Sequence, residues 1–364
     1  MRPSGTLPWR CGPLALATAA LACPLWAADP LGAPSGGPED GSAAAPETAL
    51  AGPIEVALEP RVQRTWKLHL PSESWAPAGK LLDFTGGLGR AYSTELAGTS
   101  LKVDTNGDGE LDVTVEAPGG LVVLEGERTR HALRLRYGSG WEYSAGSLVR
   151  GEIDGTRIEI VDQNNDGRYD GIGEDALVVG RSRSACYLSE VIALGDELHT
   201  LEVAPDGSSL TLTPYTGPAG RLEVTTEATA KVRAAVFVSD DGRHSVNLAT
   251  SEGAALVPAG RYRLHSGQLA FSGNQVGVRT GESEWVEVTP EAHGALHWGG
   301  PARAEFAFNR RVGELSFDPN AIWYYGKAGE EYVDWLPNGK SPRIEVREKL
   351  SGKELAEAYF PGST

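Results

Sequence analysis

The stretch DTNGDGELD places Asp104, Asn106, Asp108 and Asp112 at alternating and then wider spacing, and DQNNDGRYD repeats the order with Asp162, Asn164, Asp166 and Asp170. Both read Asp-x-Asn-x-Asp-Gly-x-x-Asp. Every side-chain donor is a hard oxygen, a set that suits Ca²⁺ and disfavours zinc or copper. Ca²⁺ takes about six to eight oxygens at ~2.3–2.6 Å, and a tight loop supplies them from its first, third and fifth residues, the carbonyl of the seventh, and the ninth. The expected ligands are Asp104, Asn106, Asp108, the Glu110 carbonyl and Asp112 in the first loop. In the second they are Asp162, Asn164, Asp166, the Arg168 carbonyl and Asp170. Gly109 and Gly167 stand where the backbone must turn sharply. Plain hairpin turns also use Asp, Asn and Gly, but two aligned copies favour the cation.

The strands that must carry these loops repeat as well. GTSLKV precedes the first and GTRIEIV the second, with Val161 as a one-residue insertion. The loops resemble those of EF-hand, dockerin and FG-GAP proteins, and the strand-flanked FG-GAP form is the nearer. A full propeller is excluded, because SDDGRH (239–244) is too poor a further copy. The twelfth position, a bidentate Glu in EF-hands, is Val115 in one loop and Gly173 in the other. The missing ligand then falls to Glu116 in the first loop, and to Glu174 or Asp175 in the second. Without that Glu the expected affinity is weak, about 10⁻⁴–10⁻³ M, as in extracellular modules.

Away from the loops the dominant period is two. TRIEIVD, DALVVG, HTLEVAP, SSLTLTP, GRLEVTTE, QVGVRT, ARAEFAF and PRIEVRE each alternate apolar with polar residues between turn-forming ones. Such runs predict antiparallel sheets with one wet face. Only SRSACYLSEVIALG (182–195) and GKELAEAY (352–359) carry a faint helical pattern. The expected fold is all-β and multidomain, built of immunoglobulin-like or transthyretin-like sandwiches with strand-flanked calcium loops. LVPAGRYRL (256–264) resembles the strand-turn-strand of transthyretin-like and carboxypeptidase-regulatory-like sandwiches, which implies fold and no activity.

The first 27 residues read as a secretory signal: Arg2 and Arg10, an apolar run shorter than a membrane span, then a small-residue exit. The segment ALAC (20–23) resembles a lipobox, so a lipid anchor at Cys23 is the alternative. Residues 28–52 are rich in Ala, Gly, Pro and Ser and read as a flexible linker. A β domain with both loops is expected over 53–215, a sandwich over 216–300 and a last β unit over 301–364. The export expected from this leader implies a periplasmic, cell-surface or extracellular protein. With Cys11 and Cys23 removed, Cys186 alone remains and no internal disulfide can form. The net charge of −16 argues against nucleic acid as partner.

No nucleophile elbow, His-Glu-x-x-His or phosphate-binding glycine loop is present. The seven histidines are scattered, with only His293 and His297 close together. Trp323, Tyr324, Tyr325, Tyr332 and Trp335 make the densest aromatic run, half core and half candidate stacking surface. The order of parts over most of 150–364 resembles secreted bacterial β-sandwich proteins, through the loop-bearing strand, GEDALVVG, DGSSLTLTPYTGPAG and YGKAGEEY. That resemblance implies architecture and carries no activity. The functional expectation is an exported, non-catalytic calcium-binding protein that is structural, adhesive or ligand-binding, with a protein or glycan partner at the cell surface. The alternative is a carbohydrate-binding or carbohydrate-cleaving protein with structural calcium.

Overall fold

The computed structural model describes residues 52–126, 129–226, 230–250, 253–271, 274–300, 302–312, 314–333 and 343–359. The expected leader, nearly all of the linker and Trp335 lie outside them. Among the described residues, thirty strands and one 3₁₀ turn, Leu248–Thr250, form the regular structure, so the fold is all-β. Pairing between these described strands is antiparallel except where Ala219–Thr226 runs parallel to Gly294–Trp298, and the isolated bridge between His69 and Ser184 is also parallel.

Alternating burial turns these strands into sandwiches. Leu81–Phe84, Arg90–Ala97, Ser100–Val103 and Val113–Glu116 form one sheet, and Ala76–Pro77, Trp141–Ala145, Arg130–Tyr137 and Gly119–Glu125 form its partner. Leu82, Phe84, Tyr92, Leu101 and Val103 of the first meet Val122, Leu124, Leu133 and Trp141 of the second in one core. Each such side chain contributes roughly 1.5–3 kcal/mol by leaving water.

A second sandwich joins Ile54–Ala57, Ser209–Pro214, Glu197–Val203 and Val191–Leu194 to a five-stranded sheet. That sheet runs Cys186–Tyr187, Ala176–Val179, Thr156–Val161, Ser147–Ile153 and Glu59–Val62. Its opening strands are the first described ones, with Val56 opposite Leu210 and Pro60 opposite Val149. The chain therefore begins this sandwich, leaves to build the one described first, and returns at Ser147. Thr156–Val161 is buried on both faces: Ile158 and Ile160 enter the main core while Val161 enters a smaller one with Leu148 and Val178.

A third core lies between the sheet Ala254–Pro258, Ala219–Thr226, Gly294–Trp298 and a larger sheet containing Lys231–Ser239, Gly260–Phe271 and Asn274–Arg279. Here LVPAGRYRL forms two strands joined by a turn, Ala254–Pro258 and Gly260–Phe271, but they do not pair with one another. They lie in different sheets, and Ala259 is a corner whose N–H donates to the Pro218 carbonyl at 2.8 Å. Both faintly helical segments are strands, Cys186–Tyr187 and Val191–Leu194 in one, Glu354–Tyr359 in the other. Cross-strand pairing outweighs intrinsic propensity there. Among the described residues no helix is long and apolar enough to cross a membrane.

Candidate metal centre

Each loop closes a hairpin. Val103 faces Val113 at the base of the first, and Val161 faces Ala176 at the base of the second. Inside them the backbone adopts one hydrogen-bond framework twice. Gly109 N–H donates to Asp104 Oδ2 at 3.0 Å, and Gly167 N–H to Asp162 Oδ2 at 2.8 Å. Asp108 N–H reaches Asn106 Oδ1 at 2.9 Å, and Asp166 N–H reaches Asn164 Oδ1 at 3.2 Å. Glu110 N–H donates to Asp108 Oδ1 and Arg168 N–H to Asp166 Oδ1, both at 2.8 Å. The first, third and fifth side chains thus turn inward in both loops. Each carboxylate oxygen keeps lone-pair capacity beyond the N–H that it accepts.

The ninth residues behave otherwise. Asp112 Oδ2 accepts from the Thr105 N–H at 2.8 Å and the Thr105 hydroxyl at 2.9 Å, bonds that hold its carboxyl below the usual range. Asp170 is clamped by the Arg168 guanidinium at 3.0 and 2.6 Å. As the side chains stand, no three His, Cys, Asp or Glu groups converge on one point among the described residues. Of the three acids weighed as a missing ligand, Glu116 lies outside the first loop and binds the Ser100 hydroxyl at 2.6 Å. Glu174 is exposed and accepts from Asn164 Nδ2 at 3.2 Å. Asp175 is fully buried.

The two loops differ in their surroundings. The first projects from a sheet buried on one side: Asp104 is buried, but Asp108, Glu110 and Asp112 are exposed. Arg90 covers its turn, donating to the Asn106 carbonyl at 2.5 Å. The second issues from the doubly buried strand, so Asp162, Gln163, Asn165, Gly167, Tyr169 and Asp175 are all buried. It lies against the first sandwich, where a Cβ on Gly87 would come within 1.5 Å of the Gly167 carbonyl oxygen. The Ser74 hydroxyl donates to the Gln163 carbonyl at 2.5 Å and accepts from Asn165 Nδ2 at 2.7 Å.

Sequence reasoning did not find Ser74 or His131, which come from distant segments with no shared spacing to reveal them. His131 Nδ1 lies 3.0 Å from the Tyr169 hydroxyl, and its Nε2 lies 3.6 Å from Asp162 Oδ2. Burial pushes this imidazole down to about 4, so the contact is not an ion pair at neutral pH. Burial, then the charge of Asp166, pushes the Asp162 carboxyl up to about 7. Burial, then the charge of Asp162, pushes Asp175 up to about 9. Among the described residues, Asp162, Asp166 and Asp175 form no ion pair with Lys or Arg. The donor set fits a hard cation, which would supply the charge this buried acidic group lacks.

The described part of the aromatic run divides between core and surface. Trp323 is 37% exposed, Tyr324 and Tyr325 are buried, and Tyr332 is half-buried. His297 Nδ1 is engaged with the Thr225 hydroxyl. Comparison with known protein families, curated proteins and solved structures returns no match for this chain.

Proposed function

We propose that the protein is an exported, non-catalytic calcium-binding protein whose two hairpin loops hold Ca²⁺ to rigidify a β-sandwich array at the cell surface or in the periplasm. The observation that carries this reading is the identical inward-turned framework of both loops. In the first loop Asp104, Asn106, Asp108 and the Glu110 carbonyl would hold the ion, joined by Asp112 once it leaves Thr105. In the second, Asp162, Asn164, Asp166 and the Arg168 carbonyl would hold it, with one further carboxylate, Asp170 or Asp175, to complete it. The ion supplies positive charge and fixes the strand ends; it is assigned no chemical step. A protein or glycan partner for the resulting surface belongs to the same proposal.

Calorimetric titration of the full chain with Ca²⁺, together with thermal melts in calcium and in chelator, tests it. Two bound ions and a raised melting temperature are expected, since a ligand at a hundredfold excess over Kd stabilises by about 2.7 kcal/mol per site. No heat and no shift up to about 10 mM, above the range of weak extracellular modules, would reduce both loops to ordinary turns.

A further inference from the structure

We propose that Asp175, rather than Asp170, completes the second calcium site, making it the tighter of the two and a clamp between sandwiches. This rests on the calcium reading of the loops and adds the residue, the inequality of the sites and their structural reach.

The sequence aligns Asp170 with Asp112, because both are ninth in the motif. The strand ladder aligns a different pair. Val103 faces Val113 below the first loop, so Asp104 and Asp112 are the next residues across from one another. Val161 faces Ala176 below the second, so the residues across from one another are Asp162 and Asp175. Partners at such positions have Cα atoms roughly 4.5–5.5 Å apart. Asp175 therefore holds the place at the loop base that Asp112 holds in the shorter loop. The five extra residues include Gly173, whose φ of 73° helps the chain fold back, with Glu174 and Asp175 N–H groups both on the Gly171 carbonyl.

The Asp175 side chain is set for a ligand. It is fully buried, its Oδ2 accepts from Gly171 N–H at 2.9 Å, and its Oδ1 has no partner. The charges of Asp162, Asp166 and Asp170 all act on it, which places it among the loop's acids. Asp170 is meanwhile neutralised by a two-pronged contact with Arg168. Position fourteen of the first loop is Ala117, so that loop has no counterpart.

The same residue ties the loop to its neighbours. The Asp175 carbonyl accepts from Leu188 N–H at 2.7 Å, and Gly173 N–H donates back to the Leu188 carbonyl at 2.9 Å. A Cβ on Gly173 would stand 2.8 Å from the Gly242 carbonyl, in the turn after Lys231–Ser239. On its other side the loop meets Ser74 and Gly87. An ion held at Asp162 and Asp175 thus orders contacts to the first and third cores together.

Ca²⁺ titration and melting of full-length Asp175→Asn, Asp170→Asn and Asp112→Asn test this. Wild type should show two binding steps. Asp175→Asn should weaken the tighter one at least tenfold and remove most of the calcium-induced melting shift. It should also leave the melting temperature in chelator nearly unchanged, because the amide oxygen can still accept from Gly171 N–H and the atom replaced has no partner in the fold. Asp170→Asn should change the tight step less than threefold, and Asp112→Asn should affect only the weak one. Equal loss of stability with and without calcium in Asp175→Asn would show a purely structural carboxylate and overturn the proposal. So would a tight step that survives it unchanged. If Asp175→Asn does not fold, Asp170→Asn decides: loss of the tight step there also overturns it. A wild-type chain without any calcium binding fails the underlying reading instead, and takes this inference with it.

Discussion

At the scale of single residues, the glycine at the sixth loop position meets different demands in the two copies. Gly109 has φ 90° and open space where a Cβ would lie. Gly167 has φ 82°, and a Cβ there would come within 2.7 Å of the Phe84 ring. Left-handed backbone costs an L-residue about 1–2 kcal/mol, and overpacking a close contact costs about 1–3 kcal/mol more. Gly109→Ala should therefore lower the unfolding free energy by about 1–2 kcal/mol, and Gly167→Ala by about 2–5 kcal/mol. Urea denaturation in chelator measures both without the ion. Equal losses would mean that the second loop is not seated on Phe84. The shared motif shows why glycine is needed twice; nothing in its spacing shows that one copy is also a packing surface.

At the scale of elements, alternation made the strands legible, and the YGKAGEEY turn shows where legibility stopped. Its Glu330 reads from sequence as a surface charge, yet it is fully buried. Its Oε1 accepts from Gly299 N–H at 2.6 Å and the Tyr332 hydroxyl at 2.8 Å, and its Oε2 from Ala328 N–H at 3.0 Å. A Cβ on Gly326 would reach within 1.8 Å of Oε1, so glycine lets the backbone close over the carboxylate. Removing an acceptor from a buried donor costs about 1–3 kcal/mol. Glu330→Ala should thus cost about 2–4 kcal/mol, and Glu330→Gln less, since one acceptor oxygen remains. Thermal or denaturant unfolding of the two variants checks the order, and a near-neutral Glu330→Ala would contradict it. The run LVPAGRYRL marks the same boundary. Its period shows two strands, but whether they pair with each other or with Ala219–Thr226 and Lys231–Ser239 depends on partners far along the chain. The metal loops were readable because their donors are local. Asp175 was readable only as one of two choices, because the ladder that seats it opposite Asp162 is not.

At the scale of the whole molecule, the second and third cores meet at a seam where half-buried His265 of the third reaches Tyr187 of the second, with the more exposed His69 bonded to the second beside it. The His69 backbone exchanges hydrogen bonds with the chain at Arg183 and Ala185, and the His265 ring lies 2.9 Å from the Tyr187 hydroxyl. Burial pushes both imidazoles below their ordinary value of 6.5, against the raising effects of Glu73 on His69 and a hydrogen bond at Pro71 on His265. A histidine with a lowered folded-state pKa is neutral in the fold while the unfolded chain still takes up a proton. Its stabilisation is therefore complete above 6.5 and is lost as the pH falls below that value. The loss approaches about 1.4 kcal/mol per pH unit for each extra proton bound on unfolding. Unfolding free energies in saturating calcium should be flat from pH 8 to 7 and decline from pH 6.5 to 5. His265→Gln, which keeps a polar partner for Tyr187, should remove part of that decline while changing the value at pH 8 by about 1 kcal/mol or less. A decline of the same slope in His265→Gln would clear this residue and shift the dependence to His69, His131 or His244, which burial also lowers. A loss of the slope would make the seam, and not the calcium loops, the acid-sensitive joint of the array.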